Sequence, residues 1–453
     1  MRFLVDRGMV PGGCVADARK RQPFGFDSAT LGFELLTHAH INLSGLLPKL
    51  TKDGFRGPIL STVATADLLE VLLPDSAHIQ DADAERAARG QRRGTRLQPT
   101  PTTPIYPMRD AGPCLRQVRS RSYDEGFAPP PRCGLHLPRC RTYPWFGDHR
   151  VVDYQGRRGR ETSVQRRSGS ARPGDPGRPD PDYRGRRSGD GVDHGDRAHR
   201  DLAATQDEMV SSIPQTRQRG GNIIMPAFAV GRTQEILHHL HCLTRQGRFY
   251  DLSIFVDLPM ADRATRITTR HLDLFNEQAH AFVDCHGAGT GPPGLHFTAS
   301  TEESKALNQL RSGAIIISAS GMCDAGRIRH HLRWNLPRPE CTVLITGFQA
   351  QCTLGRRVVD GARRVRIFGQ DIAGRPSGHT LNGFSPPAHQ PALLGWAAVL
   401  RKPPAQVFVT HGEPTAAEAF ARRLRANLGW NVMVPGIGMV QEWQMVAPGR
   451  AGR

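Results

Sequence analysis

No apolar run in this 453-residue chain reaches the length needed to cross a membrane. The start, Met1-Arg2-Phe3-Leu4-Val5-Asp6, lacks the apolar stretch of a secretory signal. Neither a membrane protein nor an exported one is expected. Nine cysteines are scattered, an odd number with no short regular spacing. That excludes a disulfide scaffold and fits a reducing, cytoplasmic setting. Cys133 and Cys140 flank His136, but no second ligand pair follows, so no zinc knuckle is expected there. Acidic residues are also short, 42 against 60 Lys and Arg, which leaves a formal charge of +18. Such an excess favours nucleic acid or another polyanion as partner. At this length two or three domains are expected rather than one core.

Three textures follow one another. Residues 23–75 alternate strand and helix signals: a strand near Phe33–Leu36, then a Leu-rich helix from Thr65 to Leu73. From about 91 to 200 apolar periodicity almost disappears into Arg, Pro and Gly, as in Gly156-Arg157-Arg158-Gly159-Arg160. Taken at face value, that is a disordered basic segment. From Gly220 the globular pattern returns. Strands are expected over Asn222–Val230, Ile254–Asp257, Ala314–Ser318, Thr342–Thr346, Val365–Phe368 and Val407–Thr410. A helix opened by Gly231-Arg232-Thr233-Gln234-Glu235 has Ile236, Leu237, Leu240 and Leu243 on one face. His238, His239, His241, His330 and His331 read as helix-surface residues. In the last helix, Thr415 and Glu418 suggest a capping box and Gly429 a C-cap. Alternating strands and helices mean a layered α/β protein.

The chemistry concentrates in Thr37-His38-Ala39-His40-Ile41-Asn42-Leu43-Ser44-Gly45. Two histidines at i and i+2 after a strand project the same way and can reach one ion. Asn42 is a neutral amide and Leu43 cannot ligate.

Several stretches in order carry a resemblance. They are His38-Ala39-His40 with Ser44-Gly45-Leu46-Leu47-Pro48-Lys49-Leu50; Pro226-Ala227-Phe228-Ala229-Val230-Gly231-Arg232-Thr233-Gln234-Glu235; Ser318-Ala319-Ser320-Gly321-Met322-Cys323 with Gly326-Arg327; Asn382-Gly383-Phe384-Ser385; and His411-Gly412-Glu413-Pro414. Together they resemble the β-CASP ribonucleases, the RNA-processing branch of the metallo-β-lactamase superfamily. The resemblance implies an αββα sandwich split by an inserted β-CASP domain. It places the N-terminal half at 1–200, the insert at 205–370 and the C-terminal half at 371–447. It also implies RNA as substrate, two zinc ions activating a water, a homodimer as the usual assembly, and a cleft between the domains as the binding site.

Carried over residue by residue, His38, His40 and His411 stand at metal-ligand positions. Asp6 stands where an aspartate supports the His loop. Asn42 occupies the position of the loop aspartate that helps orient the water. Arg232, Ser320, Gly321 and Arg327 are candidates for RNA phosphate contact. Pro387 falls on a family histidine and His389 on a family aspartate. Two further family loops, one holding a histidine and one a bridging aspartate, are absent as written. With so few ligands, only partial zinc occupancy is expected, and hydrolysis is expected to be impaired or lost. The alternative is a non-catalytic RNA-binding or scaffold relative.

The genetic code accounts for the missing loops. Read one base forward with permitted third bases, Pro138–Asp148 can give His-Asp-Ala-Gly-His-Ile-Leu-Gly-Ser-Ala, and Val164–Ala171 can give Phe-Ser-Gly-Asp-Leu-Gly-Arg. Residues 133–194 therefore read as out-of-frame translation that resumes its frame near Gly195-Asp196-Arg197. Disorder or misfolding is expected there, and part of the charge excess is then accidental. The slip does not explain Asn42, Leu43 or Pro387, which read as substitutions.

Overall fold

The computed structural model describes residues 2–9, 14–92, 102–122, 126–127, 134–136, 151–155, 161–165, 187–191, 202–271, 294–374, 377–380, 390–398, 400, 403–404, 406–410, 412–436 and 438–439. A parallel four-stranded sheet forms the N-terminal half, in the order β1 (Phe3–Val5), β2 (Phe33–Leu35), β3 (Ile59–Thr62), β4 (Val118–Arg121). Both β2 and β3 are buried throughout, as strands covered on both faces must be. Helix α1 (Val63–Arg92) packs over this sheet through Leu68, Leu69, Leu72 and Leu73.

Most of the segment 133–194, for which disorder or misfolding is expected, lies outside the described residues. Described residues there form strands β6 (Gly134–His136), β7 (Val151–Gln155) and β8 (Glu161–Gln165), which join β5 (Gly126–Phe127) in an antiparallel sheet. Strand β9 (Arg187–Gly191) instead joins the C-terminal half.

The insert is built on a parallel six-stranded sheet. Its strands are β10 (Ile223–Pro226), β11 (Ser253–Asp257), β12 (Leu295–Phe297), β13 (Ala314–Ser318), β14 (Thr342–Ile345) and, after the β15 (Arg364–Ile367) and β16 (Gln370–Ala373) hairpin, β17 (Ser377–Thr380). Their spatial order is β12-β11-β13-β10-β14-β17. Beyond residue 370, Ser377–Thr380 pairs with Thr342–Ile345. Ile315, Ile316 and Ile317 point to alternate faces, and both faces are core.

Helices α2 (Arg232–Arg245) and α3 (Pro259–Arg270) follow β10 and β11. Val230, Ala264 and Ile267 of the insert pack into the N-terminal core. His271, just past α3, lies 2.8 Å from Asp67 of α1. These contacts fix the insert against the N-terminal half.

The C-terminal half sets β18 (Gln406–Thr410) between β9 and β19 (Val432–Met433). Helix α4 (Pro414–Leu428) covers it through Phe420 and Leu424. Gly429 ends the helix in the left-handed region at φ 65°, as expected. The expected capping box is not formed. Pro414, with its preset φ, starts the helix behind an N-cap at Glu413, so Thr415 lies inside it.

Candidate functional site

Asp6 builds the His loop from beneath. Its carboxylate accepts the Thr37 backbone N–H at 2.7 Å and the Thr37 hydroxyl at 2.8 Å. Thr37 Oγ1 lies in turn 3.2 Å from His38 Nδ1. Asp6 sits at the end of β1, beside β2 from which the loop departs, so one paired strand positions the support of the next. The rings of His38 and His40 meet edge-on with centroids 4.8 Å apart. The two imidazoles therefore share one locale.

The rest of the motif turns away. Leu43 is 1% exposed and packs with Leu36, Leu47 and Leu50 in the N-terminal core. Asn42 sits in the one-turn helix Ile41–Ser44 and brings only an amide. Zinc needs three or four protein ligands. No three His, Cys, Asp or Glu side chains converge to hold a metal among the described residues. The donors that are described therefore do not fit a zinc ion by themselves. His411, Pro387, His389 and Asn382–Ser385 lie outside the described residues. The turn into α4 is anchored to the insert: Glu413 accepts the Gln351 backbone N–H at 3.2 Å and its side-chain amide at 3.4 Å.

Across from His40 stand the loops after β10 and β13. From β10 the chain runs outward to β11 and β12 on one side of the insert sheet. It returns to β13 and then crosses to β14 and β17 on the other. The direction reverses between β10 and β13, and open parallel sheets bind ligands outside the C-terminal strand ends at such a point. Two of the stretches singled out in the sequence meet there. Phe228, after β10, lies against Gly321, after β13. A Cβ on Gly321 would come within 2.8 Å of the Phe228 ring. Phe228 also reaches the His loop, with its ring centroid 6.5 Å from that of His40.

The two candidate arginines differ. Arg232 is buried and its guanidinium is 2.5 Å from Glu235. Burial pushes the Glu235 carboxyl up to about 7 against the pull of Arg232. Arg232 thus neutralises a buried acid of its own helix. Arg327 keeps 26% of its side chain exposed while donating to Asp257 at 2.7 Å.

Asp257, at the end of β11, is a hub that sequence reading missed. It also accepts from Thr298 (2.5 Å) and Ser304 (2.7 Å), and lies 2.6 Å from His331 Nε2. Burial alone would raise this carboxyl, but the hydrogen bonds of His331, Ser304, Thr298 and Arg327 outweigh it and hold it well below its usual range. His331 is fully buried, not on a helix surface, because this partner and Asn308 satisfy both ring nitrogens. Burial, with Arg86 nearby, pushes the neighbouring His330 down to about 4. His239 is buried as well, against Gln206.

A layered α/β fold interrupted by a parallel-sheet module, with paired histidines facing that module's switch point, defines a metallo-β-lactamase-type hydrolase with an insert. Residues 233–358 match the Beta-Casp domain, and 375–435 match the Zn-dependent metallo-hydrolase RNA specificity domain. A ribonuclease of Thermus thermophilus is 33% identical over 436 residues, which cover 93% of this chain and 90% of that protein. A transcription termination factor of Pyrococcus abyssi is 26% identical, covering 88% of this chain but 60% of that protein. The chain belongs to the β-CASP family of metal-dependent ribonucleases in the metallo-β-lactamase superfamily.

Proposed function

We propose that this chain holds RNA in the cleft between its His loop and its β-CASP module, and that phosphodiester hydrolysis is impaired in the chain as it stands. The observation that carries the reading is Leu43. It occupies the position of the motif's last histidine and is sealed in the core, so no change of rotamer brings a ligand there. Binding draws support from the insert, whose loops after β10 and β13 bring Phe228 and Gly321 beside His40, and from the half-buried Arg327 on the same module. Ser320 and Gly321 belong to that rim, whereas Arg232 serves the interior.

Zinc binds partially at most, through His38 and His40 with His411 as the implied third ligand. The supporting Asp6–Thr37 pair is intact. Five described cysteines are free, which supports a cytoplasmic setting, and no described helix is long and apolar enough to cross a membrane. Metal analysis of the purified chain beside an RNA gel shift tests the reading. Retained RNA with clearly substoichiometric zinc is expected. Two zinc ions per chain with metal-dependent cleavage would overturn the impairment, and absence of RNA retention would overturn the binding.

A further inference from the structure

Phe228 is 42% exposed in a stretch where its neighbours are sealed. Ala227, Ala229 and Val230 on either side of it are buried, as is the whole of β10. A large apolar ring turned outward from such a run is the kind of exposure that calls for a partner. Its backbone is pinned, since Phe228 O accepts both the N–H and the hydroxyl of Thr233, at 3.2 and 2.8 Å. The ring rests on Gly321, where no side chain larger than hydrogen fits without moving it. A floor is therefore provided for one face of the ring. Gly321 is then explained by the approach of an aromatic ring, not by that of a phosphate.

The location adds the second half. The ring stands 6.5 Å from His40, at the C-terminal ends of β10 and β13 where the crevice opens. It lies on the side of the insert that faces the His loop. An aromatic face beside a phosphate-handling loop suits a nucleobase, whose π-face stacks irrespective of sequence.

We propose that Phe228 is a stacking platform for one base of the bound RNA, next to the phosphate that lies at the His loop. This rests on the RNA-binding reading and adds the residue that grips the base. It makes Phe228 a binding residue. The contact is to the base, so it is sequence-tolerant and leaves the salt dependence, set by phosphates, unchanged.

The test measures binding of the full chain to a short oligoadenylate and to an abasic ribose-phosphate oligomer of equal length. Phe228→Ala is expected to weaken oligoadenylate binding by about 5- to 100-fold, with the slope against salt unchanged and abasic binding unaltered. Phe228→Trp is expected to keep the affinity and to show fluorescence quenching with oligoadenylate that the abasic oligomer does not produce. If wild type retains oligoadenylate and Phe228→Ala retains it equally, the stacking platform is overturned while the RNA reading stands. Equal loss on both oligomers assigns Phe228 to packing and also overturns it. If wild type binds neither oligomer, the RNA reading itself falls, and the platform with it.

Discussion

Two buried side chains of the N-terminal half respond to burial in opposite ways. Glu34 lies in the middle of β2, fully buried, with neither carboxylate oxygen hydrogen-bonded among the described residues, in a strand otherwise made of Phe33 and Leu35. Burial, with Asp6 adding to it, pushes this carboxyl well up. The folded chain therefore binds a proton that the unfolded chain releases above about pH 4.3. Stability is fully present below that value and is lost as pH climbs toward the raised folded value. Glu34→Val should raise unfolding stability at neutral pH by about 1–3 kcal/mol and flatten this part of the profile, as read in denaturant melts from acid to neutral pH. An unchanged profile would show that Glu34 has a partner. At Leu43 the reverse holds. Asn42→Asp with Leu43→His should cost about 2–4 kcal/mol, since the core must admit an imidazole. Cleavage assays on that double variant should show no recovery, and recovered activity would contradict the frame-slip reading. The His loop and its Asp6 contact were legible because motif spacing is local. Glu34 and Phe228 were not: both sit in apolar runs, and only the packed fold shows which side is sealed.

At the scale of elements, strand ends in the insert were legible from apolar runs, while the groups that meet at those ends were not. Asp257 follows Ile254-Phe255-Val256 as a plausible strand terminator, and its donors Thr298, Ser304, Arg327 and His331 arrive from 41 to 74 residues away. Removing the carboxylate strands a buried imidazole and a guanidinium. Asp257→Ala should therefore destabilise the insert by about 3–5 kcal/mol, measured by thermal or denaturant unfolding. A loss below about 1 kcal/mol would mean that water replaces the carboxylate without difficulty. Strand β9 bears on the reading frame. It runs parallel to β18, whose Val407 and Val409 are buried, in register Val407 with Ser188 and Val409 with Asp190. Parallel strands in a layered sheet are rich in Val, Ile and Leu, and Arg-Ser-Gly-Asp-Gly offers none. Read one base forward with permitted third bases, the same codons can give Val-Leu-Val-Met-Glu. The shift that restores the missing loops thus also supplies a strand suited to this slot. Resequencing this interval should find those third bases, and codons that cannot yield an apolar strand would end the idea.

The whole molecule is a ribonuclease architecture whose His loop carries Asn42 and Leu43 after His40. Its insert is held to the N-terminal half by the α1–α3 packing and the His271–Asp67 contact, and two loops of the insert stand beside the His loop. Family and layered class were readable from motifs in order. The sheet's switch point was not, because strand order is set by crossovers that no local pattern encodes. Net charge pointed to a polyanion partner, in keeping with the ribonuclease relatives, and only part of the excess lies in the interval 133–194 whose frame is in question. The most direct measurement incubates the full chain with end-labelled RNA in zinc-supplemented buffer, then runs native and denaturing gels from the same tube. A shifted native band whose RNA is full-length on the denaturing gel is the predicted result. Fragments that a chelator abolishes would show that two imidazoles and a buried Leu43 still leave a working hydrolase, and would contradict the account.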